Sequence, residues 1–296
     1  MSIVIEPISI TDVIAYNPKR YNSNNHSSVI PEDYYTILAN GNTSNWINKF
    51  KKSYIVIQIQ MKDLDWMKKA HDIGKFTGKF PSMFQEELDI VLELYKDIDY
   101  IFKNGQKYFV RAERVSFKTG MHGPGPYTSL KQIFESLVTC TDNLCPLNMK
   151  YTSMQPLKNI SEDYLKLYLM PWIEIDPDKE FIIFVYNNKI TAISQQNIYR
   201  SNTILKPYQN IKNVIIKEWI QIITSYFETT IKSNITHTQN YTIDLAILDN
   251  DKPYFIEINS FGKDYAAGSA LFHWIIDEDI LLDTKLQNKI YFRYVE

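Results

Sequence analysis

In the segment TIDLAILDNDKPYFIEINSFG, Asp244, Glu257 and Asn259 bring oxygen-bearing side chains onto two otherwise apolar runs. Asp244-Leu245-Ala246-Ile247-Leu248 and Tyr254-Phe255-Ile256-Glu257-Ile258 read as strands, and Asp249-Asn250-Asp251-Lys252 between them is dense in turn formers, which predicts a hairpin. On a strand Glu257 and Asn259 share a face, and Asp244 sits opposite or diagonal to them across the hairpin. Two carboxylates and a carboxamide converging in this way suit magnesium, which keeps waters and phosphate oxygens as its other ligands. The ligand implied is a magnesium nucleotide. An ordinary reading stays open beside it, with Asp244 capping a strand and Glu257 as an edge charge meeting solvent.

Cations for such a ligand lie in the middle of the chain, in FVRAERVSFKTG. Arg111 ends a strand that starts at Lys107, and Lys118 stands at the entrance to Met121-His122-Gly123-Pro124-Gly125-Pro126, the chain's only cluster of Gly and Pro. Two cations beside a flexible loop could hold a polyphosphate, although Glu113 could pair with either of them. Further on, Met170-Pro171-Trp172-Ile173-Glu174 follows a strand and could present backbone groups to an adenine edge, with Glu180 accepting hydrogen bonds from ribose hydroxyls. Trp172 as a core aromatic fits the same pattern. No Ser-His-Asp or Cys-His arrangement stands out: His122 lies in the flexible loop, and His273 is read onto an aromatic helix face.

The elements that must position these residues are legible from periodicity. Thr43-Ser44-Asn45 caps a helix with Trp46, Ile47 and Phe50; residues 54–59 form a strand; 63–73 and the stretch after Pro81 form helices. Ser129 starts another helix, a long polar connection leads to a strand over 163–170, and residues 180–185 and 189–194 flank the turn pair Asn187-Asn188. A helix runs from about Tyr208 to Phe227. Tyr21 to Ser28 is a polar loop, and the first hundred residues carry no chemical motif.

Composition sets limits. The chain has 296 residues, 45% hydrophobic, with 32 basic against 34 acidic side chains for a net charge of -2. That balance demands neither nucleic acid nor an anionic membrane, although Lys49 to Lys52 and Lys68-Lys69 are local basic runs. No apolar run approaches the ~20 residues of a membrane span, and the first sixteen residues lack a signal-peptide pattern, so a cytoplasmic protein is expected. Cys140 and Cys145 are too few for a disulfide framework or a structural zinc site.

In their order these segments resemble the ATP-grasp superfamily: a strand cation, a second cation beside a phosphate-covering loop, a hinge of the form x-Trp-apolar, a Glu-Phe strand, and a pair of strands ending in acidic-x-Asn. Here these are Arg111, Lys118, Pro171-Trp172-Ile173, Glu180-Phe181, Asp244, Glu257 and Asn259. Within that superfamily the chain is most similar to the cell division cycle protein 123 family. The spacing of Arg111 to Lys118 and of Trp172 to Glu180-Phe181, the run FVYNNKITAISQ, Glu257-Ile258-Asn259-Ser260-Phe261-Gly262, and Leu271-Phe272-His273-Trp274 all follow its pattern. It departs from the family at Ile182 and Gln196, where the family has Arg, at Arg111, which replaces a Lys, and at Glu257, where Asp is usual. Arg114, Lys189 or Arg200 could compensate.

The resemblance implies an α+β ATP-grasp fold with two subdomains clamping Mg-ATP. They would span residues 105–173, with the phosphate-covering loop, and 174–296, with the metal site, after a mixed amino-terminal lobe over 1–104. It implies ATP and magnesium as ligands, Arg111 and Lys118 as the groups that stabilise phosphate charge, and Asp244, Glu257 and Asn259 as metal ligands. Pro171, Trp172, Ile173 and Glu180 would complete the nucleotide site. An ATP-dependent ligase or phosphoryl-transfer enzyme is the leading expectation. The alternatives are an ATP-binding assembly chaperone for translation initiation factor two and an ATP-dependent nucleic-acid end ligase; the acceptor or protein partner stays open.

Overall fold

The computed structural model of the chain describes residues 2–16, 20–22, 31–148, 164–265, 267–285 and 288–296. Most of the polar loop read over Tyr21 to Ser28, the second half of the polar connection and Asp163 lie outside them. The described chain divides into two units, one made of residues 1–41 and 174–296 and the other of residues 42–173. Their mixed helices and sheets are of the α+β class expected from the sequence.

The first unit is built on a six-stranded sheet in the order β1-β9-β6-β5-β7-β8. Its strands are β1 (Ser2–Ile8), β5 (Glu180–Tyr186), β6 (Lys189–Gln195), β7 (Tyr241–Ile247), β8 (Pro253–Ser260) and β9 (Lys289–Val295). Both expected hairpins form. Asn187 and Asn188 take the positive φ values of 50° and 57° that turn β5 into β6, and Asp251 does the same at φ 57° between β7 and β8. The second hairpin starts earlier than its apolar run suggested, at Tyr241, so Asp244 lies in mid-strand and does not cap one.

One face of this sheet is covered by the helix Lys212–Tyr226, whose Ile216, Trp219, Ile220 and Ile223 recur at helical spacing; Trp219 packs 5.5 Å from Phe181. The other face carries an aromatic cap. Phe184 meets both Phe272 and Trp274 at 5.4 Å, and Phe261 meets Trp274 at 5.0 Å. This explains why Phe261, Phe272 and Trp274 recur in the family pattern: they are core residues and not chemistry. Gly262, at φ 111°, makes a bend that a side chain would strain.

Strand β1 was not anticipated. It pairs in parallel with β9 over its whole length, which places the first residues in this unit although the sequence reading grouped them with the rest of the first 104. A parallel pairing between the two ends of a chain leaves no local signature.

The second unit has an antiparallel three-stranded sheet in the order β2-β4-β3, formed by β2 (Ile55–Gln60), β3 (Tyr108–Arg111) and β4 (Tyr164–Pro171). Its helices Asp65–Thr77 and Leu130–Thr139 pack closely because residue 74 is glycine: a Cβ there would stand 2.8 Å from the Val138 carbonyl oxygen. Ser129 caps the second of these helices through the Gln132 amide. Among the described residues no helix is long and apolar enough to cross a membrane.

Candidate functional site

The metal-site residues of the first unit are brought together by strand register. Asp244 pairs directly with Glu257, and Thr242 pairs with Asn259 one step along the same face. The Asn259 amide lies 3.4 Å from Glu257 Oε1. A bulge between Asp244 and Leu245 follows the carboxylate pair, a common device where a ladder is bent to aim side chains. Like charges directly opposite on a ladder repel, and a shared cation would relieve that repulsion.

The donor set fits a hard cation. It offers two carboxylates and an amide oxygen, and Thr242 adds a fully buried hydroxyl with no hydrogen-bond partner among the described residues. Thr242 was missed in the sequence; its signal was its place two residues before Asp244 on the same strand face. Tyr254, on the far side of the bulge and in register with Ala246, is a neutral phenol whose pKa burial pushes up to about 12.

The same face shows what replaces the family's cations. Ile182 pairs with Asp244 and packs into the apolar cluster with Phe184, Ala192 and Leu271, so no charge stands at that position. Glu180 begins β5 one step further along this face, and the Gln196 amide donates to its carbonyl at 2.9 Å. Arg200 is drawn to the buried Asp178, 3.1 Å away, which also accepts from the Thr203 amide. Lys189 is an exposed residue at the start of β6.

In the second unit Arg111 is 1% exposed, and its guanidinium stacks 5.1 Å from the ring of Trp46. Trp46 lies on the helix Thr43–Phe50, which is tied to the turn after Arg111: the Thr43 hydroxyl donates to the Ala112 carbonyl at 2.9 Å, and Glu113 accepts from the Ser44 amide at 3.0 Å and from the Tyr168 hydroxyl. Glu113 is thus engaged by a helix N-terminus, and Arg114 donates to Asn42 at 3.2 Å. The fork of Arg111 is held in place by these contacts, while Lys118 is exposed in the turn that follows.

The Gly/Pro loop, expected to be flexible, is anchored. A Cβ at Gly120 would stand 2.3 Å from the Ser136 carbonyl oxygen, the Met121 amide donates to Thr139 Oγ1 at 2.7 Å, and His122 pairs with Glu135 at 2.6 Å. Gly125, at φ 113°, approaches Trp172 so closely that a Cβ would stand 3.2 Å from its ring. The loop and the hinge residue therefore meet within this unit. Trp172 is also held by its amide, which donates to the Lys107 carbonyl at 2.9 Å, and its neighbours Pro171 and Ile173 are exposed.

His273 does not sit on a helix. It lies in a tight turn where its Nδ1 accepts from the Ile275 and Ile276 amides, at 3.1 and 3.2 Å, and burial lowers its pKa. Its role is to cap that turn.

The D123 family profile matches residues 131–296, more than half of the chain. A translation initiation factor eIF2 assembly protein of Candida albicans is 32% identical over 131 residues, which is 44% of this chain. A putative CDC123-like protein of Acanthamoeba polyphaga mimivirus is 31% identical over 121 residues, 40% of this chain. Each of these matches spans 35% of the relative's own length. Cdc123 from Schizosaccharomyces pombe has a similar fold, with a TM-score of 0.61 and 17% identity over 90% of this chain and 99% of its own.

Proposed function

The chain belongs to the D123 family, and from that premise we propose that it is an Mg-ATP-binding assembly factor acting on translation initiation factor eIF2. The nucleotide half of this reading is carried by the in-register pair of Asp244 and Glu257, with Thr242 and Asn259 beside it. Asp244, Glu257 and Asn259 would hold magnesium. Arg111 and Lys118 would hold phosphate oxygens, the first as a pre-set planar fork and the second as a point charge on a flexible stem. Pro171, Trp172 and Ile173 would face the adenine and Glu180 the ribose. Magnesium would supply positive charge that offsets the charge of the phosphate oxygens.

The assembly half is supported by the description of the Candida relative and by the chemistry at Ile182. Phosphoryl transfer needs fixed positive charge where charge develops, and here an apolar side chain adjoins Asp244 where the family carries Arg. Binding a nucleotide without transferring its phosphate does not need that charge, and Arg111 and Lys118 would hold the phosphates in an assembly factor. Ligation of a small molecule or of nucleic-acid ends therefore ranks behind it, the latter also because the net charge is -2.

Calorimetric titration with a non-hydrolysable ATP analogue, with and without magnesium, tests the nucleotide half. Wild type is expected to bind in a magnesium-dependent manner and Asp244→Asn to lose that dependence; equal binding in the two proteins would overturn the site. Mixing with purified eIF2 subunits tests the assembly half separately, because failure to associate with any subunit would remove it while leaving nucleotide binding intact.

A further inference from the structure

Chemistry that the nucleotide site does not use lies in the second unit, where the chain's two cysteines meet. Cys140 follows the helix Leu130–Thr139, and Cys145 closes the turn after it, its amide donating to the Asp142 carbonyl at 3.0 Å. Both side chains are fully buried, and the turn brings the two thiols into hydrogen-bonding contact with each other. Cys145 Sγ also lies 3.7 Å from the Leu137 carbonyl oxygen.

Donors converge on one of the two sulfurs. Cys140 Sγ is met by the Cys145 thiol, by the Thr119 hydroxyl at 3.4 Å and by the Asp142 amide. Thr119 Oγ1 accepts from the Thr141 amide at 3.1 Å, which leaves its own proton for the sulfur. Such donors favour a thiolate. The contact from Cys145 above all holds the Cys140 pKa below that of an ordinary thiol in spite of burial, and the same contact together with burial raises that of Cys145. One sulfur is set to attack and its neighbour to resolve, the pairing of redox-sensitive cysteines.

Thr119 links the pair to the Gly/Pro loop. It stands between Lys118 and Gly120, and its contact with Cys140 adds to those of the Met121 amide with Thr139 Oγ1, at 2.7 Å, and the His122 amide with Ser136 Oγ, at 3.1 Å. The entry to the loop is thus fastened to the end of one helix, and Cys140 is the last of the fastening points.

We propose that Cys140 and Cys145 form a redox-modification site, at which hydrogen peroxide makes a disulfide that loosens the entry to the Gly/Pro loop. The Cys140 thiolate attacks one peroxide oxygen, the O–O bond breaks and hydroxide leaves, giving a sulfenic acid. Cys145 then attacks the Cys140 sulfur; the S–S bond forms, the S–O bond breaks, and the departing hydroxide takes the Cys145 proton as water. Two thiols give up two electrons and two protons, and one peroxide becomes two waters. A sulfur–sulfur bond of about 2.05 Å draws Cys140 Sγ toward Cys145 and away from Thr119. Thr141 and Asn143 are exposed on the turn that covers the pair, so a local opening there admits an oxidant little larger than water.

Peroxide treatment of the full chain, followed by alkylation after unfolding and mass spectrometry of the tryptic peptide over residues 132–150, tests the site. Wild type is expected to lose two hydrogens and to resist alkylation until dithiothreitol is added. Cys145→Ser is expected to stop at a Cys140 sulfenic acid that dimedone traps. Limited trypsin cleavage after Lys118 should be about fivefold faster in the oxidised chain, the worth of one lost hydrogen bond. Where Lys118 holds phosphate, as proposed above, oxidation also weakens the ATP analogue several-fold. Two free thiols after peroxide, or disulfides only between chains, would overturn the site, and equal cleavage after Lys118 in the two forms would overturn its hold on the loop. Failure of the reduced chain to bind the analogue would count against the nucleotide site and leave both of these readouts standing.

Discussion

One row of side chains crosses the whole six-stranded sheet in register, Glu6, Arg293, Ser194, Ile182, Asp244 and Glu257, and its two ends are built on opposite principles. At the first end the charges are opposite and compensated. Arg293 Nε meets Glu6 at 2.7 Å, its two terminal nitrogens meet both oxygens of Asp277 at 2.9 and 3.2 Å, and Arg20 clasps the same Asp277 at 2.8 and 3.1 Å. The guanidinium of Arg293 also stacks 4.3 Å from Phe272 and donates to the Leu271 carbonyl, which helps fix the aromatic cap on the sheet. At the second end, three strand spacings or about 14 Å from Arg293, two carboxylates stand side by side.

The difference separates an acid held by structural counter-ions from the acids proposed to meet a ligand. Burial raises the pKa of Asp277 on its own account, but hydrogen bonds from Arg20 and Arg293 outweigh this and leave it below the ordinary value. Asp277 therefore has its counter-ions built in. Asp244 and Glu257 stand opposite each other in register, the pair proposed above to share a cation, and the apolar Ile182 and the small Ser194 lie between the two ends.

The largest effect should come from breaking the compensated end. Arg293→Met removes the contact to Glu6 and both contacts to Asp277, which keeps Arg20 and the His273 amide, and it is expected to cost about 3 kcal/mol in urea unfolding, the lower end of the ~3–5 kcal/mol range for breaking a buried pair. A loss under about 1 kcal/mol would show that the network is incidental.

A smaller, ligand-linked effect should mark the other end. At a hundredfold excess over its dissociation constant, a ligand of the native state stabilises by about 2.7 kcal/mol. Wild type is expected to gain on that order from Mg-ATP, and Glu257→Gln to gain markedly less, by thermal shift with and without magnesium. If Glu257→Gln responds like wild type, the contrast between the ends dissolves.

The smallest effects concern pH. Asp277 has a folded pKa below its unfolded value, so its stabilisation is present above the unfolded pKa, about 3.9, and is lost as pH falls through the folded one. His273 and His71 have folded pKa values lowered chiefly by burial, so the unfolded chain takes up protons first and stability declines as pH drops below about 6.5. Unfolding midpoints should therefore fall as pH drops below about 6.5, with a further fall below about pH 4. His71→Gln, which keeps a polar group near the Val138 carbonyl that His71 Nδ1 now approaches at 3.0 Å, should flatten the first step only.

Local patterns carried much of the fold. The hairpins, the helix from Thr43, the capped helix after Ser129 and the amphipathic helix ending near Tyr226 are all properties of short segments, written in turn residues and periodicity, although Thr43 lies inside its helix and bonds to Ala112 where a cap was expected. The amino-terminal strand and the anchoring of the Gly/Pro loop through Ser136 and Thr139 escaped because each depends on partners outside its own segment, whereas the turn around His273 is closed by local bonds to Ile275 and Ile276 that no periodicity announces.

For function the division is similar. Residue types alone determined that Asp244, Glu257 and Asn259 make an oxygen-rich set and that Arg111 and Lys118 supply cations, since donor chemistry belongs to the side chain. Only tertiary structure decided that Asp244 pairs with Glu257 in register, that Thr242 joins them, that Arg111 is locked against Trp46, and that Asp277 is consumed by two arginines. Which charges face each other is set by strand register and long-range packing, and neither is encoded in the spacing of any one segment.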